Sequence, residues 1–273
     1  MGVVALCAGT QLAAAQAAAD PDAQRKADLV TAYKILVNEN ILDSFGHISV
    51  RSAKDPNIFL IPRAMPPSLV SRDDILEVRV SDSQPVDPKG RRVNGERYIH
   101  GEIYKARPDV MSVIHSHSQA VIPLSLTSIK LRPVVAQAGF LPLESPTFEI
   151  RDARKDGDRG LQVTDSARGA ALARTLSSYP TALMRGHGNV VAGSSIKQAV
   201  VYAAYVDINA RMQMQALLLS RDIVTMNEPE LFKPDEFDIN RPWEHLKQKT
   251  LDDAARAEVD RAQFGLDQTQ TKQ

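Results

Sequence analysis

The stretch from residue 110 to residue 117 reads Val-Met-Ser-Val-Ile-His-Ser-His, an apolar run that leads directly into two histidines. A short apolar run rich in Val and Ile predicts a buried β-strand over residues 110–114. Because alternate residues of an extended chain point to the same side, the side chains of His115 and His117 can reach one ion. The stretch therefore predicts a sheet strand that ends in a pair of metal ligands.

Two further polar residues stand at the ends of predicted elements. His187 lies between two glycines, directly after an apolar strand predicted at residues 182–185. Glycine permits the tight turn that brings this imidazole toward a neighbouring strand end. Glu96 begins a helix predicted at residues 96–106, which folds it back over the end of the following strand. Three imidazoles and one carboxylate form a nitrogen and oxygen site suited to Zn²⁺, Mn²⁺, Fe²⁺ or Co²⁺.

Each of these residues also has a plainer interpretation. An isolated His-x-His occurs by chance, His187 alone is compatible with an ordinary loop histidine, and Glu96 alone with a solvated helix residue. However, the chain has only six histidines, and three of them fall at predicted strand ends. Their joint placement favours a metal site, while the residue pattern alone leaves both interpretations open.

Composition and charge narrow the class of protein. The chain has 273 residues, 43% hydrophobic and 24% charged, which is typical of a globular fold with a sizeable core. Lys and Arg total 33, as do Asp and Glu, so the net charge is zero and nothing predicts binding to nucleic acid or to a membrane. The single cysteine, Cys7, allows no intrachain disulfide and no cysteine-based zinc site. Any metal must therefore sit on His, Asp or Glu.

Residues 1–22 are predicted to be an N-terminal tail or the remnant of an export signal. Residues 1–19 carry no charge, and small residues at alternate positions before Asp20 resemble a signal-peptidase site. The stretch lacks an initial Lys or Arg, and it is too short and interrupted for a membrane span. An export remnant would place the protein in the periplasm.

The remaining chain alternates predicted helices and strands. We interpret it as one α/β domain over residues 23–227, with a central, mainly antiparallel sheet and helices on its faces, followed by a C-terminal extension at residues 228–273. The other predicted helices cover residues 23–42, 118–126 and 165–177, and run from Ser194 or Ser195 to about residue 220. The other predicted strands cover residues 46–51, 57–61 and 75–80.

These motifs, in this order, resemble the class II aldolase/adducin family over residues 25–225. The resemblance lies in residues 46–51, 59–62, 71–75, 107–110, 113–117 and 186–188, together with Glu96, His100 and Tyr104. It implies the three-layer αβα sandwich of fuculose-phosphate aldolase and a cytoplasmic location. It also implies a homotetramer with active sites near the subunit junctions.

The resemblance further implies roles for the candidate site residues. His115, His117 and His187 match the family's metal ligands, and Glu96 matches the acidic residue that acts as ligand or as acid/base catalyst. One divalent ion per subunit, Mn²⁺ or Zn²⁺, is the implied cofactor. His100 lies one helical turn from Glu96 and is a candidate orienting residue, although a purely structural role is equally compatible.

The chain departs from the sugar-phosphate aldolases at positions that hold phosphate in that family. Those positions carry His47, Arg63, Asn94 and Gly95, so that larger cationic or amide groups replace small hydroxyl donors. Because arginine pairs bidentately with a carboxylate, these residues are predicted to bind a carboxylated substrate. Residues 96–101 are similar to the decarboxylase branch of the family, typified by the hydroxymethylpyridine-dicarboxylate decarboxylase.

The predicted function is that of a metal-dependent carbon–carbon lyase acting on a small molecule. We expect decarboxylation of a hydroxy-aromatic or similar carboxylated substrate, with the metal as a Lewis acid that stabilises an enolate. The same site would serve retro-aldol cleavage of a sugar phosphate or related hydroxy-carbonyl compound, which is the alternative. A metal-binding scaffold without catalysis is less favoured, since Glu96 is intact. In the C-terminal extension, Trp243 and His245 are predicted to pack, or to cover a neighbouring subunit's site.

Overall fold

The structure is a computed structural model that describes residues 20–233 and 236–263, with side chains up to residue 259. The predicted tail or export remnant falls mostly on residues 1–19, which lie outside the described residues. The first described helix begins at Ala23, as predicted. Within the described ranges, no helix is long and apolar enough to cross a membrane.

Seven strands form one sheet. They are β1 (His47–Arg51), β2 (Ile58–Pro62), β3 (Ile75–Arg79), β4 (Ser112–Ser116), β5 (Thr147–Phe148), β6 (Thr181–Met184) and β7 (Gly188–Gly193). Their order across the sheet is β3-β2-β1-β4-β7-β6-β5. All neighbouring strands are antiparallel except β5 and β6, which run parallel. The predicted mainly antiparallel sheet is confirmed.

Helices cover both faces of this sheet. They are α1 (Ala23–Asn38), α2 (Arg97–Ala106), α3 (Val121–Ser125), α4 (Ser166–Leu176), α5 (Ile196–Leu219) and α6 (Asn240–Gln263). Helices α1, α3 and α5, with the first turns of α6, share one apolar core, which includes Leu36, Val121 and Val200. Helices α2 and α4 share a second apolar core on the other face, which includes Ile103 and Leu172. The predicted three-layer αβα sandwich is therefore confirmed.

The alternation of side chains along the strands decides which residues face helix α2. In β1, Ile48 belongs to the core beneath α1 and α5, so His47 points to the opposite face. In β4, Val113 belongs to the second core, so His115 points to that same face. The register pairs His47 with His115. The two histidines are therefore cross-strand neighbours on the α2 side of the sheet.

Strand β7 is absent from the sequence-based prediction, and the structure gives the reason. Its two ends are glycines, Gly188 and Gly193, which are uncommon in strand interiors. A Cβ at Gly188 would overlap the carbonyl oxygen of Ser116, and a Cβ at Gly193 would meet the backbone of Ala199 at 2.7 Å. The glycines are present because β4 and α5 approach the strand this closely.

The C-terminal segment packs against the domain through the start of α6. Trp243 and Leu246 are buried in the core shared with α1 and α5. The packing role predicted for Trp243 therefore agrees with the structure. His245, on the same helix, is exposed.

Candidate metal centre

Adjacent strand ends bring three histidines together. His115 lies in β4, which pairs with β7, and His117 follows β4 directly. His187 lies in the turn between β6 and β7, where Gly186 adopts a φ of 63°. This left-handed conformation favours glycine and lets the chain reverse beside the end of β4.

The three imidazole rings and Glu96 surround a common point. The ring centroids are 5.0 Å apart for His115 and His117, 4.7 Å for His115 and His187, and 5.1 Å for His117 and His187. The Oε2 atom of Glu96 is 3.8 Å from Nε2 of His115 and 3.7 Å from Nε2 of His187. One ligand atom from each of the four residues lies within 4.8 Å of the others. The structure thus brings together all of the residues predicted to bind the metal.

Backbone amides hold Glu96 in this position. Glu96 immediately precedes α2, and its amide donates to Oδ1 of Asn94 at 2.9 Å. Its Oε1 atom accepts a hydrogen bond of 2.8 Å from the Val163 amide. Because Oε1 is engaged in this bond, Oε2 is the carboxylate oxygen that faces the histidines.

The buried nitrogens of this cluster fit a divalent cation. Nε2 of His115 and Nε2 of His117 are buried without a hydrogen-bond partner among the described residues, and Nε2 of His187 lies 3.7 Å from the Glu96 carboxylate. Buried polar atoms are nearly always paired, so two unpaired nitrogens beside a third imidazole and a carboxylate indicate a candidate cation site. Imidazole nitrogens and a carboxylate oxygen are ligands that Zn²⁺ and Mn²⁺ accept.

Burial also keeps His115 and His187 neutral, which is the state that metal binding requires. Burial, with a smaller effect of His117, lowers the pKa of His115 to about 3. Burial and the neighbouring His115 lower the pKa of His187 to about 4, although Glu96 opposes the shift. Nδ1 of His115 lies 3.1 Å from the carbonyl oxygen of Asn189. This carbonyl accepts the ring proton from Nδ1, which leaves the lone pair of His115 on Nε2.

Two of the residues predicted to bind substrate lie at the same end of the sheet. The His47 ring is 5.1 Å from the His115 ring. Arg63 directly follows β2, and because β2 is antiparallel to β1, the end of β2 lies at the same end of the sheet as His47. Nε of Arg63 donates to Oδ1 of Asp74 at 2.7 Å. Burial, reinforced by His100, lowers the pKa of His47 well below its ordinary value. His47 is therefore a neutral hydrogen-bonding group, in contrast to the cationic group expected from the sequence.

The other two predicted substrate residues directly precede Glu96. The Asn94 side chain accepts a hydrogen bond from the Glu96 amide, so it shapes the start of α2. A Cβ added to Gly95 would meet no atom within 4 Å, so Gly95 borders open space. His100, the candidate orienting residue, contacts His47, with Nε2 of His100 2.6 Å from Nδ1 of His47.

The sequence pattern does not single out two residues beside the centre. Oδ1 of Asp43 lies 3.8 Å from Nδ1 of His117. The Phe45 side chain is 69% exposed, and its ring centroid lies 6.3 Å from that of His117. Asp43 also accepts the Phe45 amide proton at 2.7 Å, which shapes the turn before β1. The run Asp-Ser-Phe-Gly is a turn signal, but only the register of β1 against β4 shows that this turn lies beside His117.

Comparison with known proteins identifies the family of the chain. The family model described as Class II Aldolase and Adducin N-terminal domain matches residues 27–214. Decarboxylase tropJ from Talaromyces stipitatus is 37% identical over 196 residues, which cover 68% of this chain and 74% of that protein. A 3,4-dihydroxyphthalate decarboxylase from Arthrobacter keyseri is 24% identical over 235 residues, which cover 80% of this chain and 90% of that protein. Both relatives are named decarboxylases, which are lyases, so the predicted enzyme class is confirmed.

A solved structure shows the same fold. The L-fuculose 1-phosphate aldolase from Glaciozyma antarctica PI12 superposes with a TM-score of 0.68 at 21% identity, covering 86% of this chain and 93% of that chain. At this identity the likeness concerns the fold alone. The matched residues 27–214 span more than half of the sequence. Glu96, His115, His117 and His187 lie within this range. The chain therefore belongs to the class II aldolase and adducin family.

Proposed function

We propose that the protein is a divalent-metal-dependent decarboxylase acting on a small hydroxy-aromatic carboxylic acid. The observation that carries the proposal is the cluster of His115, His117 and His187 beside the Glu96 carboxylate, in which the buried Nε2 atoms of His115 and His117 have no hydrogen-bond partner among the described residues. Decarboxylation is suggested by the two relatives, one of which is named for 3,4-dihydroxyphthalate. The three histidines and Glu96 would hold one Mn²⁺ or Zn²⁺ ion.

Glu96 is the residue proposed to move the proton in this reaction. Decarboxylation breaks the bond between a ring carbon and its carboxylate, releases CO₂, and leaves an electron pair on the carbon, which then takes up a proton. A bound divalent cation supplies Lewis-acid stabilisation of negative charge on the substrate. Because the Val163 amide holds Oε1, Oε2 of Glu96 is the oxygen available to carry the proton at the centre.

Two exposed side chains at this end of the sheet favour a flat, negatively charged substrate. The exposed Phe45 ring beside His117 offers an apolar face on which an aromatic ring can stack. The Arg63 side chain is 38% exposed and uses Nε for Asp74, which leaves its terminal nitrogens for a carboxylate. The other proposed substrate contacts are His47, Asn94 and Gly95.

Product analysis tests the proposed reaction. The Mn²⁺- or Zn²⁺-loaded chain is incubated with 3,4-dihydroxyphthalate and, in parallel, with L-fuculose 1-phosphate, while CO₂ and aldehyde are measured. We expect CO₂ from the aromatic acid, no aldehyde from the sugar phosphate, and loss of CO₂ release after chelation. Aldehyde without CO₂ would establish the aldolase alternative instead, and no turnover of either probe would count against both enzymes.

The variant Arg63→Thr tests the carboxylate contact. We expect kcat/KM for 3,4-dihydroxyphthalate to fall roughly 10–100-fold, because a hydrogen bond to a charged group contributes about 1.5–3 kcal/mol. Bound metal should not change, since Arg63 lies outside the metal cluster. Arg72→Thr is the matched control, because Arg72 is an exposed arginine in the same connection between β2 and β3. Equal kcat/KM for the two variants would refute the role given to Arg63.

We also propose a homotetramer with active sites near the subunit junctions, as the family resemblance implies. Leu218, Leu219 and Val224, at and after the end of α5, are 86%, 91% and 96% exposed. Three large apolar side chains this exposed within seven residues are available to contact a neighbouring chain. Sedimentation velocity of the 29.9 kDa chain should give the mass of a tetramer, and a stable monomer would contradict this assembly.

A further inference from the structure

A row of buried polar side chains leads from helix α2 to the metal centre. The Tyr104 hydroxyl lies 2.7 Å from Oγ of Ser49, which lies 2.6 Å from Nδ1 of His100. Nε2 of His100 lies 2.6 Å from Nδ1 of His47, whose ring is 5.1 Å from the His115 ring. We call Tyr104, Ser49, His100 and His47 the polar row.

The polar row crosses the second apolar core. Phe59 stacks on His100 with ring centroids 6.2 Å apart, and its ring centroid lies 5.4 Å from that of Tyr104. Ser49 and His100 are fully buried, and Tyr104 is almost so. Polar groups buried in this way must satisfy one another. The direction of each hydrogen bond in the row therefore determines the direction of the next.

The acceptors available to the Tyr104 hydroxyl indicate the direction of the hydrogen bonds in the row. Two acceptors are within reach of the Tyr104 hydroxyl, Oγ of Ser49 at 2.7 Å and the carbonyl oxygen of Met111 at 3.5 Å. The shorter distance is that of a good O–H···O bond, whereas the longer one is at the limit of hydrogen bonding. Donation to Ser49 gives the Tyr104 proton the shorter of these two bonds, and in this direction the Ser49 hydroxyl donates to Nδ1 of His100.

The direction of the hydrogen bonds continues from the His100 ring to the His47 ring. A ring nitrogen that accepts a hydrogen bond carries a lone pair, so a ring held in this way is neutral. A neutral imidazole carries one N–H. Because Nδ1 of His100 accepts from Ser49, its proton is on Nε2 and is donated to Nδ1 of His47. The His47 proton is then on Nε2, the nitrogen that the row leaves free.

We propose that His100 is a positioning residue that holds His47 in the Nε2–H tautomer, so that His47 donates a neutral hydrogen bond to a substrate oxygen. In this tautomer Nε2 has no lone pair for a cation, so His47 is not a metal ligand although it adjoins His115. The donor fits a carboxylate or phenolate oxygen. The tautomer follows from the polar row alone, whereas the contact with substrate rests on the proposed decarboxylase function.

Neutron diffraction shows directly which nitrogen of each imidazole ring carries the hydrogen. Crystals of the zinc-loaded full chain, exchanged into D₂O, should show deuterium on Nε2 of both His47 and His100 and on neither Nδ1. Deuterium on Nδ1 of His47, or a bond from zinc to Nε2 of His47, would overturn the proposal. This result does not depend on turnover, so it separates failure of the positioning role from failure of the decarboxylase function.

Two buried serines on adjacent strands provide a matched pair of variants. Ser49→Ala removes the donor to His100, whereas Ser112→Ala removes a hydroxyl that donates to the Ser49 carbonyl at 2.8 Å and lies outside the polar row. We expect Ser49→Ala to raise KM for 3,4-dihydroxyphthalate about tenfold, equivalent to about 1.4 kcal/mol, with bound zinc unchanged. Ser112→Ala should leave KM unchanged. Equal KM changes in two variants of equal melting temperature would show that the row only supports the fold.

Discussion

Replacing His115 by alanine is expected to strip the chain of bound zinc and to abolish CO₂ release from 3,4-dihydroxyphthalate. His115 is fully buried, and its Nε2 has no hydrogen-bond partner among the described residues. Zinc binding to structural sites has an apparent free energy of about 10–16 kcal/mol, distributed over four ligands. Loss of one ligand should therefore weaken zinc binding by roughly 10²–10³-fold. Turnover should fall at least as far, because the reaction depends on the bound ion.

Metal analysis after dialysis and calorimetric zinc titration measure this effect. His245→Ala is the matched control, because His245 is an exposed histidine of α6 outside the metal cluster. We expect one zinc per chain in the unmodified protein and in the control, and little zinc in His115→Ala with its fold retained. A tightly bound zinc in His115→Ala would show that the ion binds elsewhere.

Replacing Glu96 by glutamine is expected to reduce turnover more than it reduces metal binding. Glutamine preserves the shape of the side chain and can still accept the Val163 amide proton, but it cannot carry the proton of the reaction. General acid–base catalysis contributes about 10²–10⁴-fold, so kcat should fall by that factor. Zinc should remain bound through His115, His117 and His187 with lower affinity, because a carboxylate oxygen beside the cation has been lost.

The comparison of kcat with metal content separates the two roles of Glu96. Glu77→Gln is the control, since Glu77 is a partly exposed carboxylate on β3, outside the metal cluster. A loss of zinc as complete as in His115→Ala would make Glu96 chiefly a ligand. Full turnover in Glu96→Gln would remove it from the chemistry altogether.

The placement of the candidate metal ligands was predictable because it depends on local geometry. His115 and His117 are two residues apart at the end of an apolar strand, and alternation alone puts them on one side. His187 required one further inference, that its flanking glycines form a turn. Strand β7, which completes that turn, was not predicted because its glycine ends reflect the close approach of Ser116 and Ala199, and not a local preference.

The surroundings of the ligands were less predictable because they depend on the register between strands. His100 was a candidate orienting residue, but its partner His47 is fifty-three residues away and meets it only through the pairing of β1 with β4. The same holds for Phe45, whose position beside His117 follows from that pairing. The spacing still carried a signal, since His47 and Ser49 alternate along β1 while His100 and Tyr104 are one turn apart on α2.

The two proposed substrate contacts His47 and Arg63 differ in charge. The sequence pointed to His47 and Arg63 together as cationic groups for a carboxylate. Burial lowers the pKa of His47 and favours its neutral form, so we propose that His47 offers a hydrogen bond and that Arg63 supplies the positive charge. Arg63→Thr is accordingly expected to impair binding of carboxylates more than the loss of the His47 tautomer does.

Anomalous X-ray diffraction at the zinc absorption edge tests the central claim most directly. Crystals of the full chain grown with zinc should show one strong peak per chain, about 2.0–2.1 Å from a nitrogen of each of His115, His117 and His187. A Glu96 oxygen should be bound to the ion or adjacent to it. No peak among these residues at saturating zinc, or a peak held by other side chains while the three histidines bond to one another, would contradict the metal centre and the function built on it.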